Sequence, residues 1–171
     1  MARLGMKFIV GASLALMASA CAKKPPADIP PPPGPTETGP NTGSGVGDAV
    51  VPGSQADFLA KVSSDRVFFG LDQFDIDAED RATLDSQAAW LKQYPQVRVT
   101  IEGHADERGT RDYNLALGER RANSAKNYLA TLGIDANRIS TISFGKERPD
   151  ALGSDEASWA RNRRAVTVTV Q

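Results

Sequence analysis

Proline placement sets the limit on what this chain can fold into. Nine of its eleven prolines fall between residues 25 and 52, with Gly34, Gly39, Gly43, Gly45 and Gly47 among them. Such a stretch has little apolar surface to bury and cannot offset the entropy of ordering its backbone. The run Pro30 to Pro33 predicts stiff polyproline II, and Asn41 to Gly47 predicts flexible coil. Any core must therefore be built from residue 54 onward. That leaves about 118 residues, enough for one compact domain of modest size.

Ahead of the prolines, Arg3 and Lys7 precede an apolar run from Phe8 to Met17 and the small residues Ala18-Ser19-Ala20. This is the layout of an export signal, and its apolar part is short for a membrane span. Cys21, the only cysteine, follows directly. A lone thiol outside the cytoplasm has no intramolecular partner. Ala18-Ser19-Ala20-Cys21 resembles a bacterial lipobox, in which the cysteine is acylated and becomes the mature N-terminus. The same residues satisfy the small-x-small rule of an ordinary signal peptidase, which cuts the same bond and adds no lipid. The long tether favours the lipid, because it gives residues 22–53 something to be tied to. The expected organisation is a lipoprotein signal peptide over 1–20, a lipidated cysteine and disordered tether over 21–53, and a folded domain over 54–171.

Charge points away from one class of partner. With 20 Lys+Arg against 21 Asp+Glu, both signs are mixed along the chain, and no basic stripe with interleaved aromatics marks a nucleic-acid face. No internal repeat is visible.

Beyond residue 54 the pattern alternates strand and helix. Arg66 to Phe69 reads as a short strand. Asp77 caps a helix with Glu79 and Asp80 in its first turn, Leu84, Ala88 and Leu91 on one face, and Pro95 as its stop. Val97, Val99 and Ile101 alternate with polar residues, a half-buried strand. Gly103 to Gly109 reads as a loop. Thr110 caps a long helix that ends at Leu132-Gly133, where glycine fits the left-handed position past a helix end. Ile139 to Phe144 is a third strand, and Asp155 to Ala160 a short helical turn. Val166, Val168 and Val170 alternate with threonine to close the chain. The expected fold is α+β: a two-layer α/β sandwich with two main helices on one face of a roughly four-stranded mixed sheet.

The chemistry concentrates in residues 102–121. Asn114, Leu117 and Arg121 share one helix face at i, i+3, i+7, directly after the loop that carries Asp106. A loop carboxylate and a guanidinium two turns into the helix then line one groove. Gly103 and Gly109 let backbone approach a ligand closely, and the N–H groups near Thr110 lie at the positive end of the helix. Such a site suits a zwitterion, with Asp106 taking an ammonium and Arg121 gripping a carboxylate. The bland alternative is that Asp106 and Arg121 pair with each other, or with Arg108 and Glu107. His104, the only histidine, has no serine or cysteine nucleophile beside it by motif and no second histidine to complete a metal set, so neither an enzyme nor a metal site is expected. No cofactor is expected either.

Gly103-His104-Ala105-Asp106-Glu107-Arg108-Gly109-Thr110, Tyr113-Asn114 and Leu117-Gly118-Glu119-Arg120-Arg121-Ala122-Asn123 resemble the OmpA C-terminal-like family. Phe69-Gly70-Leu71-Asp72 and Asn162-Arg163-Arg164-Ala165-Val166 extend the likeness over about residues 65–170. The resemblance implies noncovalent binding of peptidoglycan through meso-diaminopimelate, with Asp106 and Arg121 holding its D-centre. It further implies groove positions at Asp72, Gly109, Thr110, Asn114 and Leu117. Leu71 stands where an aromatic is common, and Arg111 where proline often follows the threonine. Asn162-Arg163-Arg164 is expected to pin the last strand and helix rather than to bind ligand, and Tyr113 to be core or groove wall. Ala22 after the acylated cysteine implies the outer membrane, with the domain facing the periplasm. The implied partners are peptidoglycan, outer-membrane lipid through a triacylated Cys21, and TolB with other Tol proteins, active in envelope constriction at division. A rival expectation is a periplasmic protein-interaction module that never touches the wall.

Overall fold

The structure is a computed structural model that describes residues 50–170. The signal over 1–20, Cys21 and the tether as far as residue 49 lie outside the described residues.

Four helices and four strands follow in order: α1 (Gln55–Lys61), β1 (Arg66–Phe68), α2 (Ala78–Gln93), β2 (Arg98–His104), α3 (Arg111–Thr131), β3 (Ile139–Gly145), α4 (Glu156–Asn162) and β4 (Arg164–Val170). The strands form one mixed sheet in the order β1-β4-β2-β3. β2 and β3 are parallel, as a strand–helix–strand crossover through α3 requires, while β4 runs antiparallel between β1 and β2. The two-layer expectation is met: Leu84, Ala88 and Leu91 of α2 and Ala122, Ala125 and Leu129 of α3 bury against Val67, Val99, Ile101 and Ile139 of the sheet.

The caps form at the expected residues. Asp77 accepts a hydrogen bond from the Asp80 N–H, Thr110 from the Tyr113 N–H, and Gly133 follows α3 with φ of 89°. α1 has no counterpart in the sequence reading. Seven residues are too few to show a helical period, and the helix stands on tertiary contacts instead. Ser54 caps it, while Asp57 accepts from the Gly53 N–H and the Trp90 indole and pairs with Lys61. Phe58 seals the end of the core edge-on to Trp90.

One detail differs from the sequence expectation, and a second concerns facing. β2 runs through Gly103 and His104 instead of ending in a loop there. In β4, Thr167 and Thr169 face the helices, whereas Val170 is half exposed on the other side. Register decides this: Ala165 sits opposite Gly103 and Val67 on the inner face, so the residues two and four further on share it. Thr167 then donates its hydroxyl to the fully buried Gln87, which donates in turn to the Ser64 carbonyl, so these two are satisfied, whereas the Thr169 hydroxyl has no partner among the described residues.

α3 approaches β2 more closely than side chains allow. A Cβ on Gly103 would lie 1.8 Å from the Gly118 carbonyl oxygen. The expectation that Gly103 serves ligand approach is therefore corrected: its missing side chain is used by the helix. This contact sets the start of α3 against the end of β2, where the candidate residues lie.

Candidate functional site

Four segments converge on a pocket of about 260 Å³. The end of β2 leads into Ala105 and Asp106, the first three turns of α3 supply Tyr113, Asn114, Leu117 and Arg121, and the loop after β1 supplies Leu71 and Asp72. Arg163, between α4 and β4, closes the fourth side.

Of the expected groove residues, Asp72, Asp106, Gly109, Asn114, Leu117 and Arg121 line this pocket. Thr110 does not. Its hydroxyl is spent on the cap of α3, so it positions the helix rather than the ligand. Leu117 is a buried floor, and Asn114 donates from its amide to the Arg108 carbonyl at 2.7 Å, tying the loop to the helix. Gly109, at φ of 88°, makes the turn that a side chain would strain. Asp72 has φ of 56°, the one non-glycine with positive φ among the described residues, and such backbone strain gathers at functional sites. Its carboxylate raises the pKa of the neighbouring Tyr113 phenol, which forms a half-exposed wall.

Arg121 is completely buried. Its guanidinium donates to three backbone carbonyls, Gln73 and His104 at 2.8 Å and Gly70 at 3.0 Å. It forms no salt bridge among the described residues, so the alternative in which it pairs with Asp106 does not occur. Burial, and then the charge of Arg163, lower its pKa to about 10, which still leaves it cationic at neutral pH. A guanidinium has five N–H groups, so two remain for a ligand.

Asp106 is 5% exposed and already neutralised. Arg108 reaches it with Nη2 at 2.6 Å, Nε at 3.2 Å and its main-chain N–H at 3.1 Å, and Arg163 lies at 3.5 Å. Burial pushes the carboxyl pKa up, but the Arg108 hydrogen bonds outweigh it and hold the group below its ordinary range. The bland expectation that Asp106 pairs with Arg108 is thus met, while the site around it is still a pocket.

Arg163 has a second role beyond the expected one of pinning the last strand and helix. It does pin the fold, donating to the Phe69 carbonyl at 2.9 Å and to Glu156 at 2.8 Å, but it also lines the pocket beside Asp106. The only signal for it was the Asn162-Arg163-Arg164 segment, which lies far from Asp106 in sequence. Asn162 and Arg164 do pin the chain: the Asn162 amide brackets Asp150 and Ala151, and Arg164 donates to main-chain carbonyls.

His104 points to the other face of the sheet. Its ring is buried and stacks on Phe144. Burial, and then the charge of Arg164, lower its pKa to about 4; the Arg148 main chain opposes this without making an aligned hydrogen bond. The ring is therefore neutral at pH 7, and its 3.6 Å contact with Glu102 is not an ion pair. No metal-holding cluster occurs among the described residues. A depressed histidine pKa stabilises the fold above the unfolded value of 6.5, and that contribution is lost as pH falls from there toward 4. Denaturation between pH 7 and 4 is expected to show a loss on the order of 3 kcal/mol that His104→Phe removes.

The OmpA family matches residues 68–163. A peptidoglycan-associated lipoprotein of Rhizobium meliloti is 54% identical over 132 residues, covering 75% of this chain and 74% of its own; another from Agrobacterium fabrum is 48% identical over 160 residues, covering 94% and 85%. The crystal structure of the peptidoglycan-associated lipoprotein from Burkholderia pseudomallei superposes with a TM-score of 0.61 at 44% identity, covering 66% of this chain and 93% of that one.

Proposed function

We propose that this chain, which belongs to the OmpA family, binds peptidoglycan noncovalently through the meso-diaminopimelate of its stem peptides. The single observation that carries the reading is Arg121: a fully buried cation, on the pocket wall, with no carboxylate partner among the described residues and two N–H groups unspent. Burying a charge this way is costly unless something of opposite sign completes it. The D-centre of diaminopimelate carries both a carboxylate for Arg121 and an ammonium for Asp106, and the pocket is of a size for one such group. Asp72, on its strained turn, offers a second carboxylate at the mouth.

The residues perform binding rather than bond-breaking. Two charge-assisted contacts, each about 1.5–3 kcal/mol before entropic costs, give weak to moderate affinity for one stem peptide. A triacylated Cys21 would anchor the protein in the outer membrane, and the tether would hold the domain near the wall at effective concentrations on the order of millimolar. The outcome is a reversible staple between membrane and wall. In this reading the chain acts within the Tol–Pal system, with TolB as a partner, in envelope integrity and in constriction at division.

Asp106→Asn is isosteric and keeps the hydrogen bond from the Arg108 N–H, so it tests the site with little disturbance of the fold. It is expected to reduce pull-down by purified sacculi at least tenfold with an unchanged circular dichroism spectrum. Wild-type protein should pellet with sacculi and release no soluble fragments; release would mean a hydrolase, failure to pellet would leave the interaction-module alternative, and undiminished pull-down of Asp106→Asn would put the wall contact outside this pocket. Cys21→Ser should move the protein from the membrane fraction to the soluble periplasm in the same cells.

A further inference from the structure

A ligand ammonium cannot reach Asp106 without meeting a guanidinium already there. Arg108 and Arg163 both touch this carboxylate, but they are held differently. Arg163 is almost fully buried and fixed by the Phe69 carbonyl and by Glu156. The Arg108 side chain is 35% exposed, and no backbone carbonyl among the described residues accepts from it. Its guanidinium lies 4.1 Å over the Trp159 ring and 4.0 Å from Glu156, whose carboxylate is 67% exposed. The Arg108 main-chain N–H bonds Asp106 independently, so the side chain can leave without undoing the loop.

We infer that Arg108 is an exchangeable internal counter-ion: the incoming ammonium displaces its guanidinium from Asp106 toward Glu156, and every binding event bears the cost of breaking that pair. This rests on the zwitterion reading above. In the empty site the pair spares Asp106 the penalty of a naked buried carboxylate. The cost is common to every ammonium ligand, so Arg108 sets affinity and leaves preference among ligands to the rest of the pocket. Leaving the Trp159 face also removes a cation from an indole, which gives the exchange an optical signature.

The test uses calorimetry and tryptophan emission on the full mature protein, with a soluble diaminopimelate-containing muropeptide as probe. Arg108→Gln is expected to bind it roughly three- to tenfold more tightly than wild type, because the competing ion pair is gone. Wild-type emission should shift on binding, and the shift should vanish in Trp159→Phe, which assigns it, and in Arg108→Gln, which has no cation to remove. Equal or weaker binding by Arg108→Gln overturns the exchange while wild-type binding stands, and so does an unaltered wild-type emission. Absence of binding by wild type removes the diaminopimelate reading itself, and the exchange with it.

Discussion

Arg121→Ala is expected to cost the domain roughly 3–5 kcal/mol of stability as well as its ligand, because three buried carbonyls lose their donor together and a cavity opens under the loop after β1. From the sequence Arg121 reads as a groove arginine that grips a ligand carboxylate. The geometry adds a second role. Gln73 and Gly70 lie in the loop after β1 and His104 at the end of β2, and this guanidinium joins the two, so the side chain is a structural tie before it is a ligand contact. Small domains have about 5–15 kcal/mol in total, so the variant should unfold at a clearly lower urea concentration or accumulate poorly. Arg121→Lys should recover part of the loss, since it keeps the charge but cannot span three acceptors in one plane. An Arg121→Ala protein with a wild-type urea midpoint would refute the structural half of this role.

Gly103→Ala carries the second large effect. The added methyl would sit 1.8 Å from the Gly118 carbonyl oxygen, which is backbone and cannot rotate away. Relief requires α3 to lift off β2. Lifting it also loosens the Ser143 hydroxyl from the Leu115 carbonyl and moves Asn114 and Arg121 relative to Asp106. Overpacking a core usually costs about 1–3 kcal/mol, and a rigid backbone obstacle places this case at or above the upper end. Equilibrium urea unfolding is expected to show a loss of roughly 3 kcal/mol or more, with weakened wall binding in whatever folded protein remains. Gly133→Ala is the contrasting control, since nothing lies within 4 Å of its added Cβ and only the left-handed φ of 89° is strained.

These two residues show what the sequence could and could not disclose. α2, α3 and β2 were legible because caps, stop signals and periodicity are local properties. α1 was not, because its seven residues are held by Trp90 and β4, which are distant in the chain. The facing of β4 was not legible because register with β1 and β2 sets it, and the inward Thr167 is accommodated by a buried partner in Gln87. At the site, the helix face Asn114, Leu117, Arg121 followed from spacing alone. What Arg121 is bonded to did not, nor did Arg163, because both depend on how loops after β1 and α4 fold over the end of β2. Gly103 is a place of close approach, as the sequence suggests, but the approaching group is α3. Thr110 was legible as a cap, and that same role takes it out of the pocket.

In the proposed function the pocket recognises a side chain carrying an ammonium and a carboxylate on one carbon. The most direct measurement is a calorimetric titration of the mature protein with two muropeptides identical except at the third stem residue, diaminopimelate in one and lysine in the other. The lysine version keeps the ammonium and lacks the carboxylate that Arg121 would bind, so its affinity is expected to be at least tenfold lower, about 1.4 kcal/mol or more. Equal affinity for the two would contradict the account.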